Sequence, residues 1–210
     1  MIRLDIFSDP VCPWCLIGKL ELDRALESRP DHPFEIVWHP FRLNPQMPPG
    51  GMDRLAYLKA KPGAADAAKA VAERAAKMGL ELQLPARQPD TTDAHRLMHW
   101  AGLEGAQSRV MSGLLRAYWQ EARDIGDKAE LASIAKAAGM DEAVTARLLA
   151  GDADRDEVIG REMHARERGI NAVPSFIVAD THAVSGAQPA ELWQKVIDEL
   201  TASGGNTTLH

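Results

Sequence analysis

The chain opens on alternation: Ile2, Leu4 and Ile6 are apolar, with Arg3 and Asp5 between them. That two-residue period predicts a strand with one buried face. The period changes at Cys12. Leu16, Ile17, Leu20 and Leu26 recur near helical spacing, with Lys19, Asp23, Arg24 and Glu27 on other faces. Pro13 then falls at the first or second helical position, where a missing N–H costs the helix little. Alternation returns in FEIVWHPF, a second strand ended by Pro40. RLNPQMPPGG, from Arg42 to Gly51, is a breaker segment. Beyond it the chain becomes alanine-rich and helical, interrupted at Pro62-Gly63. TTDAHRLMHWAGL predicts a helix capped by Thr92 or Asp93, and AQSRVMSGLLRAYWQEARDIG a second. DKAELASIAKAAGM opens on Asp127 with Glu130 three residues on, a capping-box spacing. DADRDEVIGREMHARERG closes the helical block, with Gly169 expected as its C-cap. The pattern then reverts to two short strands, AVPSFIVAD entered through Pro174 and HAVSGA with His182 near the joining turn. PAELWQKVIDELTA is a last amphipathic helix, and SGGNTTLH a flexible tail.

The order is strand, helix, strand, helical block, strand, strand, helix, with no internal repeat. It predicts an α/β chain with a thioredoxin fold (β-α-β … β-β-α) interrupted by an all-helical insertion. Residues 1–45 form the N-terminal part, 46–170 the insertion, 171–203 the C-terminal part and 204–210 the tail. The charge-rich helix faces are expected to be solvated, and Trp38, Trp100, Trp119 and Trp193 to serve packing.

Apolar residues make up 45% of the 210 positions and charged residues 26%, enough to bury a core. The formal net charge of -6 gives no basic footprint for nucleic acid. No apolar run approaches the roughly 18 residues of a membrane span, and Asp5 and Asp9 interrupt any signal-peptide core. The expected compartment is the cytoplasm, with neither nucleic acid nor a membrane as partner. In that setting a close cysteine pair points to redox or metal chemistry rather than a structural disulfide.

The two cysteines, Cys12 and Cys15, stand in SDPVCPWCLIGK at the first strand-to-helix turn. Unsatisfied N–H groups and the positive end of the dipole at a helix N-terminus favour thiolate over thiol. Cys12, the N-terminal partner, is the candidate nucleophile. Cys15, one turn later, is the candidate resolving thiol, and two intervening residues allow disulfide geometry. A carboxylate at Asp9 would oppose thiolate formation if it faced the sulfur. Structural zinc normally takes four ligands. There is no second C-x-x-C, and His95 and His99, at i, i+4, have no acidic ligand beside them. No metal is expected. By base rate only about 5–6% of X-Pro bonds are cis, and the residues around Val173-Pro174 do not choose between the two forms.

SDPVCPWCLIGK, FRLNPQMP, DAHRLMHWA and AVPSFIV together resemble the DsbA-like thioredoxin-fold oxidoreductases, and within them the cytoplasmic FrnE-like subgroup. The resemblance implies that Val173-Pro174 is cis and lies against the cysteine pair. Val173 would then offer backbone groups to an extended substrate, and the insertion would form a lid over the active-site face. It implies thiol–disulfide exchange on a protein or small-molecule thiol or disulfide, with no cofactor beyond the redox-active Cys12–Cys15 disulfide and with glutathione as a possible co-substrate. The protein would be a monomer or homodimer. Secreted DsbA proteins carry Pro-His between the cysteines; Pro13-Trp14 stands here. Pro13 and Asp9 are therefore the candidate redox-tuning residues, and Trp14 is expected to be partly exposed to substrate. His39, Arg42 and Asn44 either line the substrate cleft or are ordinary rim residues.

Kappa-class glutathione transferases and hydroxychromene-carboxylate isomerases share the fold and insertion, but usually have serine where Cys12 stands and lack the second cysteine. A glutathione-dependent transferase or isomerase is thus one alternative. A redox sensor or holdase using the insertion's apolar face is another.

Overall fold

A computed structural model describes residues 1–202; the tail expected at 204–210 lies outside the described residues. The first strand, β1 (Ile2–Ser8), runs into α1 (Pro13–Ser28) and then β2 (Phe34–Pro40), which pairs parallel to β1. After the helical region, β5 (Ser175–Val178) pairs antiparallel to β1, and β6 (His182–Ser185) antiparallel to β5. The sheet order is β2-β1-β5-β6, and α9 (Ala190–Ala202) follows. This is the expected thioredoxin arrangement.

Alternation along β1 gives the sheet two different faces. Ile2, Leu4 and Ile6 enter the main core, with Leu16, Leu22 and Ala25 of α1 and Trp193 and Ile197 of α9. Arg3, Asp5 and Phe7 point the other way, into an open cavity lined on its far side by α8 (Arg155–Glu167). Gly18 lets α1 approach the sheet loop closely: a Cβ there would stand 3.1 Å from Pro174 Cγ.

The insertion shares the main core rather than forming a separate one. Its elements are α2 (Arg54–Ala60), α3 (Ala64–Lys77), α4 (Thr92–Leu103), α5 (Gln107–Trp119), α6 (Lys128–Ala137) and α7 (Glu142–Ala150), before α8. Leu97, Leu114 and Tyr118 belong to the same buried cluster as Leu4 and Ile6. Trp38, Trp100, Trp119 and Trp193 are all buried. Asp127 caps α6 by accepting from the N–H groups of Ala129 and Glu130, and Gly169 takes a positive φ of 89° just past α8.

Several expectations fail in instructive ways. The N-cap of α4 is Thr91, not Thr92 or Asp93, and the Asp90 carboxylate accepts from the Thr92 N–H. Two short strands, β3 (Met52–Asp53), just after the breaker segment, and β4 (Arg87–Gln88), pair across α2 and α3, and neither has the length to show a period. Helix α7 lies between segments read as separate. The charged helix faces are not all solvated: Lys19, Glu21, Arg96 and Glu162 are buried. Glu21 accepts from Arg74 and from the N–H of Ala190 at 3.1 Å, joining α1 to α3 and to the start of α9.

Candidate active site

Cys12 is the N-cap residue of α1, with extended backbone angles, and Pro13 occupies the first turn. Its carbonyl accepts from the N–H groups of Cys15 at 3.1 Å and Leu16 at 3.3 Å, and its own N–H is bound by Asp9 O at 2.9 Å. The turn from strand to helix is thereby fixed around the sulfur. Both thiols are free. Cys15 is 1% exposed and Cys12 4%, while Pro13 and Trp14 are half-exposed beside them.

The two sulfurs face different surroundings. Val173-Pro174 is cis, and the Val173 carbonyl accepts from the Cys12 thiol at 3.6 Å. The Val173 N–H has no protein partner among the described residues. Residues 161 positions apart in sequence therefore meet at one point: a thiol at a helix N-terminus and a main-chain edge before a proline. Cys15 lies deeper. Burial pushes its pKa well above the ordinary thiol range, and the neighbouring Cys12 adds to this; the Ser8 hydroxyl and Asp9 N–H pull weakly the other way. The thiolate is the attacking species in exchange, so Cys15 is the poorer attacker at neutral pH.

Asp9 is almost fully buried. One carboxylate oxygen accepts from the Leu43 N–H at 2.7 Å. The other stands 3.6 Å from His95 Nε2, too long for a hydrogen bond, and that oxygen and both His95 ring nitrogens have no hydrogen-bond partner among the described residues. Asp9 thus ties the cysteine loop to the segment after β2, with its free oxygen toward α4. In the sequence His95 stands out only through its i, i+4 spacing to His99, which does not by itself make a metal pair; its facing carboxylate, Asp9, is a tertiary neighbour that no local pattern marks.

The remaining predicted residues go elsewhere. Asn44 accepts from the Tyr57 hydroxyl at 2.9 Å, which fastens the breaker segment to α2. Arg42 pairs with Glu162 at 2.5 Å and donates to Thr92 Oγ1 at 3.0 Å. His39 stacks on Phe7 with ring centroids 4.7 Å apart, and its Nε2 meets Asp5 Oδ1 at 2.5 Å. None of the three has a hydrogen bond to either cysteine or to the Val173-Pro174 loop. His95 and His99 do not share a site: His95 faces Asp9 and His99 faces Arg161.

The family model for a DsbA-like thioredoxin domain matches residues 3–198. The chain belongs to the DsbA-like thioredoxin family. Among solved structures of this fold, the probable DsbA oxidoreductase SCO1869 from Streptomyces coelicolor is 31% identical, with a TM-score of 0.84 over 100% of this chain and 93% of that one. Two more distant likenesses concern the fold alone. A 2-hydroxychromene-2-carboxylate isomerase is 16% identical, with a TM-score of 0.74 over 99% of this chain and 100% of that one. The cytosolic disulfide reductase DsbM from Pseudomonas aeruginosa, solved with GSH, is 16% identical, with a TM-score of 0.68 over 95% and 99%. In this DsbA-like chain the insertion reaches the cysteine loop through Trp119, whose indole N–H donates to the Pro10 carbonyl at 3.0 Å.

Proposed function

We propose that this DsbA-like chain is a thiol–disulfide oxidoreductase of the FrnE-like type, working through a mixed disulfide at Cys12 that Cys15 resolves. The observation that carries the reading is the pairing of unequal thiols. Cys12 sits at the helix N-terminus against the Val173 carbonyl, while Cys15 lies behind it with its pKa raised by burial.

In the reducing direction the Cys12 thiolate attacks one sulfur of a substrate disulfide. That bond breaks, and the other substrate sulfur leaves as a thiolate and takes a proton. Cys15 then loses its proton and attacks the Cys12 sulfur. The mixed disulfide breaks, the second substrate thiol is released, and Cys12–Cys15 holds the oxidising equivalents. Two electrons have moved to the substrate; the reverse sequence oxidises a dithiol. Val173, whose carbonyl faces the Cys12 sulfur and whose N–H has no partner among the described residues, is suited to hold an extended substrate by main-chain bonds. Trp14 adds a half-exposed aromatic surface. Pro13 at the helix start and the buried Asp9 carboxylate are the groups we assign to redox tuning. The substrates are thiol- or disulfide-bearing proteins or small molecules, the compartment is the cytoplasm, and glutathione is a co-substrate. The likeness to a cytosolic reductase solved with GSH supports those last two points.

Equilibration in graded glutathione buffers, read by mass spectrometry after alkylation, tests the proposal. The expected result is one intramolecular Cys12–Cys15 disulfide per chain, formed and broken reversibly with two electrons. Failure of the pair to oxidise or reduce in any buffer rejects the reading. The likeness to the isomerase favours one alternative, a glutathione-dependent isomerase or transferase. Isomerisation or conjugation that survives replacement of both cysteines by serine would establish that alternative instead.

A further inference from the structure

On the sheet face opposite α1, an open cavity of 540 Å³ lies between the strands and α8. Its size is that of a small-molecule site, and none of its lining residues belongs to the cysteine loop or to the Val173-Pro174 turn. Apolar side chains line part of it: Phe7, Ala165, Ile177 and Ala183. At its edge stands Arg161, half-buried, which has no carboxylate partner among the described residues.

Two imidazoles hold the Arg161 guanidinium in place. One terminal nitrogen donates to His99 Nδ1 at 3.2 Å and the other to His39 Nδ1 at 3.3 Å. His39 in turn is anchored by Asp5. A bare Nδ1 accepting from Arg161 requires His39 to be neutral, with its proton on Nε2 toward Asp5. The guanidinium is therefore oriented by neutral acceptors. Among the described residues it has no ion-pair partner, and its remaining N–H groups make no hydrogen bond.

We propose that this cavity binds a small carboxylate carrying an aromatic or branched apolar body. The carboxylate takes the free edge of Arg161, whose planar fork suits two parallel hydrogen bonds, and the body lies on Phe7, Ile177 and Ala183. Asp5, Glu157 and Asp180 border the same opening, with Arg168 and His164 on its α8 side, and Arg3 is already committed to Asp5. The apolar lining, which inorganic phosphate leaves unused, favours a carboxylate with an apolar body over a phosphate. The site is distinct from the Cys12–Cys15 chemistry and stands or falls separately from it.

The probe is 3-phenylpropionate, titrated calorimetrically into the reduced protein at constant ionic strength, with 3-phenylpropanamide and inorganic phosphate as comparators. The expected result is saturable one-to-one binding of the carboxylate alone. Arg161→Gln should weaken it by about tenfold or more, the loss expected for hydrogen bonds to a charged group, while exchange at Cys12 proceeds as before. Equal binding of the amide, equal binding of phosphate, or undiminished binding to Arg161→Gln overturns the proposal. If that variant does not fold, imidazole NMR signals of the unaltered protein decide. Saturable shifts of His39 and His99 with 3-phenylpropionate support the site, and saturation without them, or no saturation, rejects it.

Discussion

His95 and Arg96 are neighbours on α4, yet they face two opposite kinds of buried polar region. Arg96 is 0% exposed and has a hydrogen-bond partner on each of its three nitrogens. It donates to the carbonyls of Leu148, Gly151 and Ala153 at 2.7 to 2.8 Å and to Asp93 at 2.7 Å, with its guanidinium 5.1 Å from the Trp100 ring. Those carbonyls lie at and just beyond the C-terminus of α7, where helical acceptors lack partners. His95 looks instead toward the cysteine loop, where Asp9 is near but beyond hydrogen-bond distance. One region is a structural knot in which every guanidinium nitrogen is bonded. The other keeps buried polar atoms uncommitted at the cysteine loop. An unpaired atom is no mark of function by itself, since Trp193 Nε1 also lacks a partner, as does Arg54 Nε. Its meaning at His95 comes from the carboxylate it faces and the cysteine loop that carries it.

Substitutions on the two sides should therefore differ sharply. Arg96→Met strips the α7 carbonyls of their donors and leaves Asp93 short of its closest partner. Breaking a buried, hydrogen-bonded charge network costs about 3–5 kcal/mol, and the denaturation midpoint should fall accordingly. His95→Leu removes two unpaired nitrogens in exchange for an apolar group, a change that is nearly neutral, within about 1 kcal/mol. Its effect should appear instead in the glutathione equilibrium of the cysteine pair, because Asp9 loses the imidazole that faces it. Equal destabilisation by the two variants would break the contrast.

A smaller effect concerns pH. Burial holds the His39 pKa below its ordinary value, outweighing the pull of Asp5. The unfolded chain then binds the proton more readily than the folded one. Stability from this group is present above the ordinary pKa of about 6.5 and is lost as pH falls toward the lower folded value. Unfolding at several pH values below neutrality should show this decline, and His39→Gln should flatten it. An unchanged slope in the variant would place the titration elsewhere.

The parts of the molecule legible in the sequence are those whose signal is local. Ile2, Leu4 and Ile6 alternate because one face of β1 is core, and Pro13 after Cys12 marks a helix start. The four strands and two helices of the thioredoxin part follow from such patterns. What stayed hidden depends on distant partners. Helix α7 is positioned by Arg96 from another helix, and β3 pairs Met52 with Gln88 across two intervening helices. Lys19 and Glu21 looked like solvated charges and are buried, because α3 and α9 bring Glu21 its partners. Arg161 carries no motif at all; it acquires a site only when β2 and α4 bring His39 and His99 to it. His39 was legible as a polar residue at a strand end, but the face it points to depends on register, which placed it opposite Phe7.

The central claim, that Cys12 attacks and Cys15 resolves, is tested most directly by trapping. Reduced Cys15→Ser and Cys12→Ser variants are mixed with a peptide disulfide at neutral pH, quenched with acid and weighed by mass spectrometry. The account predicts a lasting mixed disulfide on Cys12 in the first variant, with net dithiol turnover abolished, and little or none on Cys15 in the second. Mixed disulfide forming on Cys15 as fast as on Cys12, or turnover persisting in Cys15→Ser, would contradict it.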